Sequence, residues 1–364
     1  MILYIVLFLF IVMLLVLFNF NFSSNKKIEF FSGKEIETVK RPFVNMYDNN
    51  GQKLNIILIS KPFSVDEELK YVEDNKKDFI FIGITSYLEF PNIPSNPFED
   101  FTENYKKYKY LEMCEGWIHG FRNPENYFPK GIPTYFASES DWTDCNVCKP
   151  DKTIKKKYDF IYVCLKVDEK KEKCDDWATY NKNWSLAKKC LDIFCNKYKL
   201  KGLLIGRKGC KLPPGCKYME TTNMLNYDDL KKKYNQSRFI FIPNEKDASP
   251  RVLTEALATN IPCLVNKNIL GGWKYVNEET GEFFTNEKDI EKPLDILLDK
   301  IKNKKYSPRD YFIKNYSVKN SGKRLKDFLY KHWGNRINIP EKDVLYISPE
   351  FDKTNFETCK SSGN

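Results

Sequence analysis

The residues of this chain best arranged for chemistry lie between Pro243 and Glu255, in the run Pro-Asn-Glu-Lys-Asp-Ala-Ser-Pro-Arg-Val-Leu-Thr-Glu. Ser249 suits the cap of a helix, and Pro250 suits its first position, where a missing N–H leaves no bond unmade. The amides of Arg251 and Val252 are then expected to be free donors at the positive end of the helix dipole, with Arg251 adding a full charge. Glu255 falls on the same face four residues later, and Asp247 stands in the loop before the cap. Amides and a guanidinium for a diphosphate, with carboxylates for ribose and sugar hydroxyls, fit a nucleotide-sugar. A capped helix carrying a surface Arg251–Glu255 ion pair worth a few tenths of a kcal/mol would write the same local pattern.

The elements that must position this loop read as alternating strands and helices. Leu54 to Ser60 and Asp78 to Ile84 are apolar runs of strand length, separated by a helix to Asn75 that opens on a capping box at Ser64-Val65-Asp66-Glu67. Tyr87 to Asp100, with three prolines, reads as loop. Glu103 to Glu115 is helical or mixed, and Pro133 to Ser138 reads as a strand. A second series follows the linker-like Cys148 to Lys152. It comprises strands at Tyr158–Leu165, Gly202–Gly206, Phe239–Pro243 and Ile261–Val265, and helices at Trp184–Lys197, Tyr227–Lys233 capped by Asn226, and Pro250–Ala258. Such alternation specifies parallel sheets covered by helices, with ligands beyond the carboxyl ends of the strands. Asp289 to His332 reads as helices broken near Ser307-Pro308, and no regular pattern is visible from Trp333 onward.

The stretch from Met224 to Phe284 resembles the donor-binding half of the retaining GT-B glycosyltransferases of the group 1, GT4-like, family. The likeness is carried by NYDDLKKKY, RFIFIP, an acid separated by seven positions from Glu255-Ala256-Leu257-Ala258, IPCLV, Gly271-Gly272, and Thr280-Gly281 before Phe283-Phe284. It implies an α/β protein of two Rossmann-like, doubly wound domains facing a cleft. It implies further that Glu255 holds the ribose and that Asp247 contacts the donor sugar, helped by the backbone from Ser249 through Pro250 and Arg251 to Val252, with Gly271 and Gly272 in the donor loop. Lys166 and Lys182 take the family's place for cations on the diphosphate; Arg207 and Lys208, after the GLLIG strand, are rivals. The family often places a histidine of the first domain near the donor sugar, and His119 in Trp-Ile-His-Gly-Phe-Arg is the candidate, a hydrogen-bonded structural histidine being the alternative. Asp247 replaces the usual Glu, and Ser249-Pro250-Arg251 replaces a glycine-containing step, so the sugar pocket is expected to differ in shape.

In this family the acceptor hydroxyl attacks on the face from which the diphosphate leaves, and catalysis is electrostatic stabilisation with positioning. No metal cofactor is demanded. Asp175-Asp176 sits in a charged insertion facing solvent, His332 beside Trp333 reads as packing, and Cys145-x-x-Cys148 lacks a second half-site for zinc because Cys210 and Cys216 are wrongly spaced. The implied partners are a nucleotide-sugar donor and a glycan, lipid-linked or protein acceptor. A catalytically silent nucleotide-sugar or glycan-binding scaffold of the same fold is the competing reading.

Composition sets the frame. The chain has 364 residues, 42% of them hydrophobic, with 59 Lys+Arg, 49 Asp+Glu and 11 Cys. That is chain enough for about two domains, and it excludes disorder and a small disulfide-stapled module. The net charge of +10 is scattered among acids in short runs, which argues against a nucleic-acid partner. Met1 to Phe18 carries no charge and, as a helix, would cover about 27 Å, close to a hydrocarbon core. Residues 1–22 are therefore expected to form an uncleaved transmembrane anchor and 23–52 a tether. An acceptor-side domain at 53–150, a nucleotide-sugar domain at 151–305 and bracing C-terminal helices with a tail at 306–364 follow. Lysines after the span, and an odd cysteine count that cannot pair completely, put the body of a single-pass protein in the cytosol. Four Asn-x-Ser sequons (Asn21, Asn183, Asn235, Asn315) point the other way.

Overall fold

A computed structural model describes residues 36–86, 88–92, 102–165, 174, 180–342, 346–349 and 359–360. It contains two six-stranded sheets. The first is built from β1 (Phe43–Asp48), β2 (Lys53–Ile59), β3 (Ile80–Ile84), β4 (Gly116–His119) and β5 (Thr134–Phe136), closed at one edge by β12 (Ile347–Pro349). β1 runs antiparallel to both of its neighbours, and β2 to β5 are parallel and lie side by side in chain order. The second sheet contains β6 (Tyr158–Val163), β7 (Gly202–Ile205), β8 (Glu220–Thr222), β9 (Ser237–Ile242), β10 (Cys263–Asn266) and β11 (Gly281–Phe284). All its pairings are parallel, in the order β11-β10-β9-β6-β7-β8. The order reverses between β6 and β9, and that gap is the switch point at which doubly wound sheets bind ligands.

The central strands are continuous apolar runs because both of their faces are covered. In β2, Ile56 and Leu58 pack with Leu325, Leu329 and Trp333 of the long helix Ser317–Trp333, while Ile57 and Ile59 face Val72, Phe81 and Trp117. In the second sheet Phe160, Tyr162, Phe239 and Phe241 meet Leu186, Cys190, Leu191 and Phe194 of the helix Trp184–Asn196. Ile161, Val163, Ile240 and Ile242 face Leu253, Ala256 and Leu257 of Arg251–Ala258 on the other side. Each such side chain taken fully from water contributes about 1.5–3 kcal/mol.

Several expectations are corrected. The first domain is not doubly wound: its parallel strands never reverse order, so their crossover connections cover one face and the C-terminal helix Ser317–Trp333 supplies the other. β1 lies inside the stretch read as a tether, because its hydrophobic residues form a hairpin with β2 rather than a connector. The unpatterned tail contributes β12 to the sheet of the first domain. The membrane anchor does not stand: among the described residues no helix is long and apolar enough to cross a membrane. Residues 1–22, on which that expectation rested, lie outside the described residues, and single-pass topology, a membrane partner and a cytosolic body are not carried forward. The cysteine argument also fails. Three pairs are bonded, Cys145–Cys359, Cys174–Cys210 and Cys195–Cys216, with Cα separations of 5.8, 5.8 and 5.0 Å, and an odd total leaves five buried thiols rather than eleven free ones.

Candidate functional site

At the switch point, the loop after β9 carries Asp247 and the turn before the helix Trp184–Asn196 carries Lys182. Tyr162, in β6, donates its hydroxyl to the Lys182 carbonyl at 2.8 Å and so fixes that turn to the sheet. The Lys182 ammonium is ion-paired with Asp247 Oδ2, the side chains being 20% and 8% exposed. Asn244 Nδ2 donates to the same oxygen at 2.7 Å, and the Ser249 amide donates to Oδ1 at 3.3 Å. Both strands bordering the gap thus contribute to one nearly buried charge pair.

The helix that follows begins differently from the expectation. Pro250 is its cap residue and Arg251 its first helical residue. The Arg251 amide donates to Ser249 O at 2.9 Å, so it is not a free donor for an anion. Ser249 does not cap with its side chain. Its hydroxyl accepts from the Ser140 amide at 3.1 Å and lies 2.9 Å from the Ser140 hydroxyl, which joins the two domains. Val252 turns its side chain onto the core. Arg251 is exposed at the helix start. Glu255 is half-buried and accepts from the Tyr234 hydroxyl at 2.8 Å. Burial raises its pKa, opposed by Tyr234, the Arg251 charge and Tyr227.

Gly271 and Gly272 are placed against this loop by contact. The Gly271 amide donates to Asp247 O at 2.9 Å, and a Cβ at Gly271 would stand 1.9 Å from Ala248 O. Gly272 has φ +84°, and a Cβ there would stand 2.4 Å from Pro250 Cγ. Gly120 of the first domain meets the same two neighbours: a Cβ on it would lie 3.1 Å from Ala248 O and 3.5 Å from Gly271 Cα. His119, ending β4 beside it, is buried with Nδ1 unpartnered. Its pKa is lowered to about 4 by burial and by the Lys274 charge, so it is neutral at physiological pH.

Two expected cations, Arg207 and Lys208, are not brought to this site. Arg207 is fully buried, and its guanidinium donates to Cys164 Sγ at 3.3 Å, Leu165 O at 2.9 Å and Cys174 O at 3.0 Å. It braces the loop after β6 instead of facing the cleft, because three acceptors of its own domain enclose it. Lys208 is exposed beyond β7, its amide donating to Thr222 O at 3.2 Å. Lys166 and Asp175-Asp176 lie outside the described residues. Cys145 is used in a disulfide, and Cys148 Sγ sits 3.0 Å from the Tyr227 hydroxyl.

Sequence reasoning missed a set of polar residues on both walls of the cleft. Lys246 pairs with Glu89 of the first domain at 2.6 Å. Among the described residues, Glu89 Oε2, Glu139 Oε1, Asn181 Oδ1 and Asn244 Oδ1 are buried without a hydrogen-bond partner, as is His119 Nδ1. A buried polar atom left without any partner costs about 1–3 kcal/mol. The Glu139 carboxyl is pushed up by burial, against Arg41, Arg251 and Ser86. The available signal was position, since Glu89 and Glu139 follow parallel strands β3 and β5 directly. Two charge pairs, Lys182–Asp247 and Lys246–Glu89, are thus held by the loop after β9, the second of them reaching the first domain.

Neither a protein-family profile nor a curated protein sequence matches this chain. Solved structures do match in fold. Sucrose-phosphate synthase from Thermosynechococcus elongatus aligns at 10% identity over 71% of this chain and 69% of its own, with a TM-score of 0.52. Anabaena HepE in complex with UDP-glucose aligns at 10% identity over 72% of this chain and 76% of its own, with a TM-score of 0.51. A glycosyltransferase from Rickettsia africae aligns at 13% identity over 76% of each chain, also at 0.51. The chain has the GT-B fold, two Rossmann-like α/β domains facing a cleft.

Proposed function

We propose that this protein is a glycosyltransferase that moves a sugar from a nucleotide-sugar to an acceptor hydroxyl, with retention at the anomeric carbon. The observation that carries this reading is the Lys182–Asp247 pair at the switch point with Glu255 one helix turn beyond the cap. Lys182, released from Asp247 when the donor enters, and Arg251 take the diphosphate charge. Glu255 accepts from the ribose hydroxyls, and Asp247 accepts from the donor sugar. His119, neutral and with one ring nitrogen open, hydrogen-bonds the sugar from the opposite wall. The acceptor hydroxyl attacks as the carbon–oxygen bond to the diphosphate breaks, and its proton passes to the departing phosphate oxygen. Fixed charges that cost no reorganisation then supply most of the rate enhancement. The fold likeness to nucleotide-sugar enzymes supports the reading at the level of architecture. Incubation of the protein with a panel of nucleotide-sugars tests it: slow donor hydrolysis or transfer supports it. Binding without either one favours a silent scaffold, and no binding rejects both.

A further inference from the structure

The loops after β4 and β10 line an open cleft of about 430 Å³ between Phe121–Tyr127 and Lys267–Leu270. This is within the range of small-molecule sites, roughly 300–1,000 Å³. It adjoins the Asp247 loop through the backbone, since the Leu270 amide donates to Glu245 O at 2.7 Å and the Gly271 amide to Asp247 O at 2.9 Å. A ligand here would therefore sit beside the donor position.

Its walls are chemically uneven. Tyr127, part-exposed, is backed by the buried Phe121, on which it stacks at 3.9 Å and 18°, and Ile269 is buried nearby. The rim holds the side-chain amides of Asn123, Asn126 and Asn268, which hydrogen-bond no other side chain among the described residues. The charged lining residues are Arg122 and Lys267, and among the described residues no carboxylate lines the cavity. Arg122 is oriented by the face of Trp273, 4.4 Å from its guanidinium carbon, and by donating one Nη to Lys267 O at 2.7 Å. Its remaining N–H groups are left for a ligand. Aromatic faces and planar amides are what saccharide rings contact, and two cations without a counter-carboxylate select negative charge.

We propose that this cavity is the acceptor subsite and takes an anionic saccharide unit, one bearing a carboxylate or a phosphate. The assignment rests on the glycosyltransferase reading for its role, but the site and its charge preference stand on the cavity alone. The test is equilibrium binding at low ionic strength of methyl glucoside, glucuronate, glucose 6-phosphate and inorganic phosphate to the full chain and to Lys267→Glu and Arg122→Ala. Lys267 is exposed, so its replacement spares the fold even if loss of Arg122 loosens the domain contact. The expected result is at least tenfold tighter binding of one anionic sugar than of methyl glucoside, lost at least tenfold in Lys267→Glu. Whichever of glucuronate and glucose 6-phosphate binds tighter identifies the acid. Equal affinity for neutral and anionic sugars, phosphate binding as tightly as the sugar phosphate, indifference to Lys267→Glu, or no binding overturns the proposal. Nucleoside diphosphate affinity, measured on the same samples, separates the two ideas: its absence sinks the transferase reading, whereas its persistence without sugar binding sinks only this one.

Discussion

The Lys182 ammonium is ion-paired with the Asp247 carboxylate across the gap between β6 and β9, although 65 residues separate them in sequence. With side chains 20% and 8% exposed, the pair leaves neither charge facing bulk water alone. Removing one member of such a pair strands the other, which costs more than the pair is worth. On the proposed function, donor entry would offer Lys182 a diphosphate in exchange and free Asp247 for sugar hydroxyls.

Asp247→Asn keeps the shape and removes the charge. Lys182 is then released, and the account expects nucleoside diphosphate affinity to hold or rise while sugar transfer falls at least tenfold, about 1.4 kcal/mol of transition-state stabilisation. Parallel binding and rate measurements check this. A loss of both together would mean that Asp247 acts on folding rather than on the sugar.

His119 predicts a stability change with pH. Its folded pKa of about 4 lies below the ordinary 6.5, so the unfolded chain takes up the proton first as pH falls. Its contribution is complete above pH 6.5 and is lost progressively toward pH 4, up to about 3 kcal/mol. Glu139 and Glu255, raised by burial, act in the opposite sense, losing stability as pH rises above the ordinary carboxyl value toward their raised folded ones. Urea titrations of wild type and His119→Gln at pH 7 and pH 5 isolate the histidine. The difference between the two proteins should shift in the variant's favour at pH 5; a constant difference refutes the neutral, buried assignment.

Gly271→Ala would set a methyl 1.9 Å from Ala248 O. Backbone faces backbone there, so neither side can yield cheaply, and overpacking of this kind costs about 1–3 kcal/mol. Thermal unfolding should show the loss, with donor affinity falling as well because the Asp247 loop is displaced. An unchanged melting temperature would refute the close packing.

What the sequence disclosed follows from what leaves a local pattern. β2, β3, β6, β7, β9 and β10 were legible because strands buried on both faces must be apolar throughout, and Asn226 announced its helix by capping chemistry, accepting from the Asp229 amide at 2.8 Å. Asp247 and Glu255 stood out by their spacing around a helix start, and the glycine pair by the family resemblance. β8 was missed since Glu220–Thr222 is half-buried and polar. Glu139, Ser140 and Glu89 were missed because their partners Arg251, Ser249 and Lys246 lie more than a hundred residues away, where no periodicity reaches. Arg207 was misread for a related reason: a charge after a strand suggests a cleft, and only the fold shows the carbonyls that enclose it.

The three disulfides predict a thiol count. Alkylation of the denatured protein should label five cysteines without reductant and eleven after reduction. Such bonds persist in oxidising compartments, so a protein made under reducing conditions should label fully from the outset and melt at a lower temperature. Full labelling of oxidised protein would remove all three pairs.

The central claim is that Lys182, Arg251 and Glu255 hold the nucleotide of a sugar donor whose sugar Asp247 contacts. Equilibrium binding of a set of nucleoside diphosphates to wild type and Glu255→Ala addresses it most directly. The account predicts that at least one nucleotide binds the wild type and that its affinity falls tenfold or more in Glu255→Ala, with circular dichroism unchanged. A nucleotide that binds both proteins equally, or none that binds wild type, would contradict it.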